Sequence, residues 1–128
     1  MKEITFDDIL TAGFGEIDSN IRVSFKKTIQ REEYNPEVWE ASTDLNFEEG
    51  MDGADRFMTI ALLSAQQEAA MFIHLAQQRV VKAEEYAERK AYLTQSINQI
   101  AMKYESLTGR SVTEKYMARG VDDNGNQS

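Results

Sequence analysis

The feature that most constrains this chain is a stretch of 54 residues, Ala54 to Leu107, which contains neither glycine nor proline. Gly53 and Gly109 bracket it, and apolar residues recur along it at helical spacing. A straight helix of this length, at roughly 1.5 Å per residue, would run about 80 Å, far beyond the diameter of a globule of this size. The stretch must therefore fold back as a helical hairpin or pack against another chain, which would make the protein an oligomer through its long helices.

Two apolar seams with near-heptad steps run along this stretch. The first comprises Met58, Leu62, Ala65, Ala69, Phe72, Ala76, Val80, Ala83 and Ala87, and the second comprises Leu93, Ile97, Ile100, Tyr104 and Leu107. Ala87, the last residue of the first seam, and Leu93, the first of the second, are six residues apart, a step that continues neither heptad pattern. The break adjoins the most charged segment, Lys82–Lys90. A turn or bend there would explain the break, although these residues are good helix formers. The sequence leaves open two long helices or one very long bent helix.

Strict alternation of apolar and polar residues precedes the helical region. It runs from Ile21 to Ile29 and again from Trp39 to Phe47, with turn chemistry at Glu32–Pro36 between the two runs. This pattern predicts an antiparallel β-hairpin over residues 21–47, alone or within a small sheet. Because a lone hairpin is marginal in water, its apolar face should cover the helices. Residues 4–17 leave open a helical turn or an edge segment.

The predicted fold class is therefore α+β, with an N-terminal β-hairpin or small sheet followed by a helical region over residues 54–108. We expect a single domain over residues 1–120 and a disordered tail over residues 121–128. Asp52 is a good N-cap for the first helix, and Gly109 is typical of a glycine C-cap. Ser111–Arg119 is compatible with a short last helix that turns Val112 inward.

The net charge of −8 is concentrated in residues 1–53, which carry 13 acids and 5 bases. An acidic surface repels phosphate backbones, which argues against general nucleic-acid binding. No apolar run approaches the length that a bilayer requires, and the N-terminus does not resemble a secretory signal. The chain has no cysteine, which is compatible with a cytoplasmic location.

The sequence offers little catalytic chemistry. Gly13-Phe14-Gly15 lacks the rest of a phosphate-binding loop, and His74 is the only histidine, within an apolar segment where a packing role is expected. One histidine without cysteine does not supply the usual zinc ligand sets. Adjacent acid pairs point in different directions and are expected on solvated faces. We therefore expect no enzyme, no metal and no cofactor.

A set of polar side chains at the helical seams is the candidate ligand-binding site: Arg79, Tyr86, Arg89, Tyr92, Asn98 and Arg110. Arginine offers a planar fork for phosphate, tyrosine a stacking surface, and asparagine a paired donor and acceptor for a base edge. Such a set could hold a nucleotide between two helices. The same cations also lie near Glu84, Glu85 and Glu88, where they could form ordinary surface pairs. A second basic cluster lies on the hairpin and comprises Arg22, Lys26, Lys27 and Arg31. It could likewise bind a ligand or form ordinary surface ion pairs.

The run Val23–Pro36, continuing through Glu40–Ser42 and Leu45–Gly50, resembles a segment of small uncharacterised bacteriophage proteins. In those proteins a Lys-Thr-Ile strand, a tyrosine-containing turn and a returning strand precede helical residues. The overall layout is also similar to that of the phage sponge proteins that counter the Thoeris defence. Those proteins bind cyclic ADP-ribose signals in oligomers without cleaving them.

The resemblance implies a non-enzymatic phage counter-defence protein in the cytoplasm of an infected bacterium. The leading hypothesis is a homo-oligomeric sponge that sequesters a cyclic ADP-ribose or cyclic dinucleotide signal. The alternative, motivated by the acidic N-terminal half, is a protein-binding inhibitor of a host nuclease or defence factor, or an accessory of phage replication or recombination.

Overall fold

The computed structural model describes residues 2–12, 17–30 and 36–112, and its fold is α+β. The predicted turn over residues 32–35, most of the expected last helix and the tail over residues 121–128 lie outside these ranges. The elements in chain order are β1 (Lys2–Ile4), α1 (Phe6–Thr11), β2 (Asn20–Gln30), β3 (Pro36–Asn46), α2 (Gly53–Gln77) and α3 (Ala83–Thr108).

The three strands form one sheet in the order β1-β2-β3. β2 and β3 are antiparallel along their whole length, with Phe25 opposite Ala41 and Ile21 opposite Leu45. The hairpin that the alternation predicts is therefore confirmed. β1 pairs in parallel with the start of β2, a pairing that the sequence did not indicate because three residues are too few to show a period.

The N-terminal segment combines a strand with a helix. Thr5 and Asp8 form a capping box in which Thr5 Oγ1 accepts from the Asp8 N–H at 3.2 Å and Asp8 Oδ2 accepts from the Thr5 N–H at 2.9 Å. The chain therefore leaves the sheet directly after Ile4 and starts α1. Phe6 and Ile9 on this short helix are buried in the core.

The helical region is a hairpin of two helices of 25 and 26 residues, so the alternative of one continuous bent helix is wrong. The reversal lies at residues 78–82, before the charged segment in which the seam analysis placed it. The Val80 N–H donates to the Leu75 carbonyl at 2.8 Å, and the Arg79 N–H donates to the Ala76 carbonyl at 3.0 Å. These two bonds are the Schellman pattern that ends a helix.

The sequence does not reveal where the turn lies, because the glycine that usually marks such a turn is absent. The Schellman position with left-handed backbone is usually glycine, but here Arg79 occupies it with φ of 60°. The charged segment instead forms the first turns of α3. Glu84 and Glu85 lie in the first turn, where acidic side chains interact favourably with the helix dipole.

The main core lies between the sheet, α1 and the two long helices. Its buried members include Ile21 and Val23 of β2, Met58 and Ile60 of α2, and Ile97 of α3. A smaller cluster near the hairpin turn comprises Phe72, Leu75 and Val81, with Phe25, Ile29, Trp39, Met71, Ala76, Val80 and Tyr86 packed against it. Packing of the hairpin's apolar face onto the helices is thus observed.

The apolar seams agree with the structure in part. Leu93, Ile97, Ile100 and Tyr104 of the second seam are buried. Leu107 is 62% exposed although Tyr104 before it and Val112 after it are buried, so its side chain faces solvent and its place in the seam is wrong. Ala83 and Ala87 are also exposed, because the turn at residues 78–82 rotates α3 away from the phase of the first seam.

The helix ends follow the predicted caps with one difference. Gly109 adopts φ of 75° and donates its N–H to the Glu105 carbonyl at 2.9 Å, which confirms the glycine cap. Asp52 is the N-cap of α2 by position, but its side chain makes no capping bond. Its carboxylate accepts from Arg110 at 3.0 Å instead, so it ties the two helices together.

Candidate binding groove

A groove with a volume of about 520 Å³ lies between β2 and α3. α2 forms its floor with Glu68 and Phe72, and the segment from Thr5 to Asp7 closes one end. We refer to this feature as the groove. The two walls are residues 24–27 of β2 and four residues of α3, namely Glu85, Glu88, Arg89 and Tyr92. The spacing of these four places them on one face of the helix.

The buried carboxylate of Glu68 is the polar centre of the groove floor. Its side chain is only 6% exposed, and its Oε2 accepts a hydrogen bond from Arg89 Nε. Arg89 also lies 3.7 Å from Asp7 and places its guanidinium 4.7 Å from the centre of the Tyr92 ring. A buried acid of this kind must be paired, and Arg89 supplies the partner from a different helix.

The neighbours of Arg89 shift the pKa of its guanidinium, which is a cation at physiological pH in any case. Desolvation by the surrounding protein lowers its pKa and is the largest single effect. The hydrogen bond and charge of Glu68, with a smaller contribution from Asp7, outweigh it and raise the pKa above its ordinary value. The positive charge of Arg89 is already matched by the carboxylates of Glu68 and Asp7.

Aromatic rings and a second ion pair complete the walls. Lys27 Nζ lies 3.2 Å from Glu85 and 5.3 Å from the centre of the Phe72 ring. Phe25 packs edge-on against Phe72 with the ring centres 5.8 Å apart, and Phe6 packs in the same way against Tyr92 at 6.4 Å. The groove therefore offers apolar surface between charged groups.

The charges of the groove favour a cationic guest. Its lining contains four acids (Asp7, Glu68, Glu85 and Glu88) and three bases (Lys26, Lys27 and Arg89). Lys27 and Arg89 each have a carboxylate partner. Within the described residues Glu88 makes no ion pair, and Asp7 has only the 3.7 Å contact with Arg89, its side chain being 72% exposed. Lys26 also makes no ion pair within the described residues, so the charges left without a close partner are the carboxylates of Glu88 and Asp7 and the ammonium group of Lys26.

A second polar cluster lies at the opposite end of the helical hairpin. The Tyr104 hydroxyl donates to the buried Asp55 carboxylate, and Arg110 lies 3.3 Å from Asp55 and 3.0 Å from Asp52. The hydrogen bond to Asp52 is the largest cause of the raised pKa of Arg110. This cluster joins the start of α2 to the end of α3, so its contacts indicate a structural role. We refer to it as the staple.

The structure distributes the six predicted ligand residues over four places. Arg89 and Tyr92 meet in the groove. Tyr86 and Asn98 lie along a shallow depression on the outward face of α3. Arg79 is exposed in the turn, and Arg110 belongs to the staple at the other end. The second basic cluster also divides, since Lys26 and Lys27 line the groove whereas Arg22 pairs with Asp44 at 2.6 Å. Arg31 lies outside the described residues.

Sequence reasoning missed Glu68, which organises the groove. A signal was present, because Glu68 lies three residues after Ala65 and four before Phe72, on the apolar face of α2. A carboxylate in that phase has to be buried and paired. His74, by contrast, is exposed and lies edge-on to Trp39, with ring centres 5.6 Å apart.

The fold and the groove define a small α+β protein with an open site of ligand size, and comparison takes the identification no further. A scan against protein-family models, a search of curated proteins and a search of solved structures each find no match for this chain. Across the described ranges, no group of three or more histidine, cysteine or acidic side chains is arranged to hold a metal ion. None of the helices in those ranges combines the length and apolar character needed to cross a membrane.

Proposed function

We propose that this protein is a non-catalytic binding protein that captures a positively charged segment of a partner protein in the groove. The observation that carries the proposal is the pairing of two of the three groove cations, Arg89 with buried Glu68 and Lys27 with Glu85, while Glu88 and Asp7 remain at the rim with Lys26 as the third cation. A cationic side chain can be received without breaking an existing pair. An anion would have to displace Glu68 from Arg89 or Glu85 from Lys27, or be held by the exposed Lys26 alone.

This proposal corresponds to the acidic protein-binding inhibitor or accessory of the sequence analysis. Capture of a basic site would suit a host nuclease or defence factor, or a component of phage replication, because such proteins carry basic surfaces. The excess of acids in residues 1–53 would steer a basic partner toward the chain at low ionic strength. The phage setting itself rests on the resemblance described above.

A nucleotide sponge is the second candidate, and one observation favours it. Two of the predicted ligand residues, Arg89 and Tyr92, line the same groove, and its volume of about 520 Å³ is within the range of small-molecule sites. The sponge hypothesis further predicts a homo-oligomer that assembles through the helices. Light scattering with and without cyclic ADP-ribose isomers and cyclic dinucleotides, with thermal stability recorded in parallel, tests both parts.

Titration with peptides of equal length and basic, neutral or acidic character tests the leading proposal. We expect the basic peptide alone to bind and its affinity to fall as salt is raised. Glu88→Lys should weaken it at least tenfold by placing a cation at the rim. Glu84→Lys is the matched control, since Glu84 is an exposed neighbour on α3 that does not line the groove.

The results separate the two candidates. Equal loss in both variants would indicate unspecific attraction to an acidic protein and would contradict the proposal. Binding of a cyclic nucleotide with no binding of basic peptide would replace it with the sponge.

A further inference from the structure

The outer strand of the sheet, β3, has one side without a partner strand. In the order β1-β2-β3 it pairs with β2 from Pro36 to Asn46, and no other strand in the described part of the chain pairs with its second side. The pairing with β2 is regular along all 11 residues. An unpaired strand edge is a template for a further strand, and natural proteins usually protect it by a short strand, a bulge or charges. We refer to this side of β3 as the free edge.

The backbone of alternate residues of β3 points to the free edge. The Phe47 N–H donates to the Ser19 carbonyl at 2.7 Å, directly beyond the paired residues Asn46 and Asn20. Because hydrogen-bonded and non-hydrogen-bonded pairs alternate in an antiparallel ladder, the odd-numbered residues of β3 bond to β2. The even-numbered residues turn their N–H and C=O groups outward, and those that carry both groups are Val38, Glu40, Ser42, Asp44 and Asn46.

A second copy of β3 fits the free edge best when the two-fold axis passes through Ala41. The two antiparallel strands then overlap along all 11 residues, a contact about 35 Å long. Glu40 of one copy lies opposite Ser42 of the other, and Asp44 lies opposite Val38, so no two acids face each other directly. An axis one residue to either side would set Glu40 opposite Glu40 or opposite Asp44. Like charges in such positions destabilise a strand pair.

The charges of the hairpin beside the free edge are balanced within each copy. Arg22 of β2 forms an ion pair with Asp44 at 2.6 Å, and Lys26 of β2 lies opposite Glu40 in the strand register. The net charge of −8 makes two copies repel each other on average. An edge at which each acid of the outer face has a base across from it is therefore a place where two acidic chains can meet.

The helix next to the free edge adds no charge on its exposed side. α2 lies against β3, since Gln67 Nε2 donates to the Ala41 carbonyl at 3.2 Å. Apart from His74, the only ionisable side chain in residues 57–77 is that of Glu68, which is buried in the groove floor. Two copies joined at β3 would therefore bring no like charges of α2 together. The exposed residues of this part of the helix are Gln66, Ala70, Ile73, His74 and Gln77.

We propose that this chain forms a two-fold symmetric dimer in which the free edges of two β3 strands pair in antiparallel register about Ala41. The two sheets become one continuous sheet with the helices of both copies on the same side. The contact is closed, because both copies use the same edge and neither keeps a free one. The copies meet at the sheet edge, whereas the sequence predicts contact through the long helices.

The dimer leaves the groove open, so this inference goes beyond the function proposed above and does not depend on it. No residue of β3 lines the groove, whose walls are β2 and α3. A dimer therefore carries two accessible grooves. A partner with two basic segments at a suitable distance could occupy both, which would raise its apparent affinity without any new contact.

Disulfide formation at the two-fold axis tests the register. The chain has no cysteine, so Ala41→Cys introduces a single thiol into each copy. In the proposed dimer the two thiols belong to a non-hydrogen-bonded pair with Cα atoms about 4.5 Å apart, a separation that a disulfide can span. We expect mild oxidation to convert most of the protein into a covalent dimer, measured by non-reducing gel electrophoresis.

Thr43→Cys is the matched control for this experiment. Thr43 lies on the same face of β3 as Ala41 and is more exposed. Its counterpart in the second copy is displaced by four residues along the strands, about 14 Å, which is too far for a disulfide. The control should therefore stay reduced under the same conditions. Equal cross-linking of the two variants would indicate random collision and would overturn the proposed register.

Ser42→Pro tests the strand pairing without a new thiol. The Ser42 N–H points to the free edge, so proline removes a donor that the pairing with β2 does not use. We expect light scattering to give the mass of a dimer for the wild type and of a monomer for Ser42→Pro, with an unchanged circular dichroism spectrum. Ser42→Thr keeps the N–H and should remain a dimer. If Ser42→Pro does not fold, the two cysteine variants still decide.

The outcomes separate this inference from the proposed function. A monomeric wild type, or a dimer that Ser42→Pro leaves intact, would overturn the inference. A dimer without the Ala41→Cys cross-link would place the contact on another surface and would overturn it as well. Binding of the basic peptide should be unchanged in Ser42→Pro, because β3 does not line the groove.

Discussion

Arg89 on α3 donates a hydrogen bond to the buried carboxylate of Glu68 on α2, and this pair joins the two helices beneath the groove. Arg89→Met should therefore destabilise the protein by about 2 to 4 kcal/mol, because it leaves a buried carboxylate without its partner. Urea denaturation monitored by circular dichroism gives the free energy of unfolding.

The double variant Glu68→Met with Arg89→Met should recover most of that loss, since neither charge remains. Lys90→Met is a matched control, because Lys90 is the exposed neighbour of Arg89 and should change stability by less than about 0.5 kcal/mol. Equal stability of Arg89→Met and the wild type would show that the pair does not hold the helices together.

Tyr104 is fully buried, and its hydroxyl donates to Asp55 at the start of α2. Tyr104→Phe should cost about 1 to 3 kcal/mol, because the buried carboxylate loses a donor and the ring volume is kept. Thermal and urea unfolding both report this loss. Tyr92→Phe provides the comparison. Tyr92 is 39% exposed, and its contacts with Phe6 and Arg89 are made by the ring, which the substitution retains.

Gly109 and Arg79 follow the ends of the two long helices with left-handed backbone, and substitutions at these two positions should have opposite effects on stability. Gly109→Ala should destabilise by about 1 kcal/mol, because alanine disfavours φ of 75°. No atom lies within 4 Å of an added Cβ, so the cost is conformational. Arg79→Gly should stabilise by a similar amount, because it relieves φ of 60° at the helical turn. Stabilisation by Gly109→Ala, or a loss from Arg79→Gly, would contradict the assigned caps.

The cross-strand pair Arg22–Asp44 predicts a pH-dependent contribution on the outer face of the sheet. The hydrogen bond from Arg22 is the largest cause that lowers the pKa of Asp44 below its ordinary value of 3.8. A lowered folded-state pKa stabilises the protein above the ordinary value, and this stabilisation is lost as the pH falls through the folded-state pKa. The effect should be small, because both side chains are about half exposed.

Asp44→Asn should therefore lower the melting temperature near neutral pH, and the difference from the wild type should vanish in acid. Added salt should reduce the difference as well. Glu40→Gln on the same face of β3 controls for a general change of charge. A difference that grows as the pH falls would have the wrong sign for this pair.

Local patterns in the sequence were enough to predict most of the helices and strands. The alternation from Ile21 to Ile29 and from Trp39 to Phe47 determined β2 and β3, because a half-buried strand must alternate. The heptad spacing from Leu93 to Tyr104 determined the buried face of α3, and Gly109 marked its end. These features depend on neighbours a few residues apart, so the sequence carries them directly.

The turn and the candidate site depended on contacts between distant parts of the chain. The turn at Arg79 has no glycine to mark it, and three residues of β1 form a strand only because β2 lies beside them. The groove exists because Glu68 and Arg89, 21 residues apart, are brought together by the hairpin. Periodicity shows which face of an element is apolar, but which faces meet, and which charges they pair, is decided by packing in three dimensions.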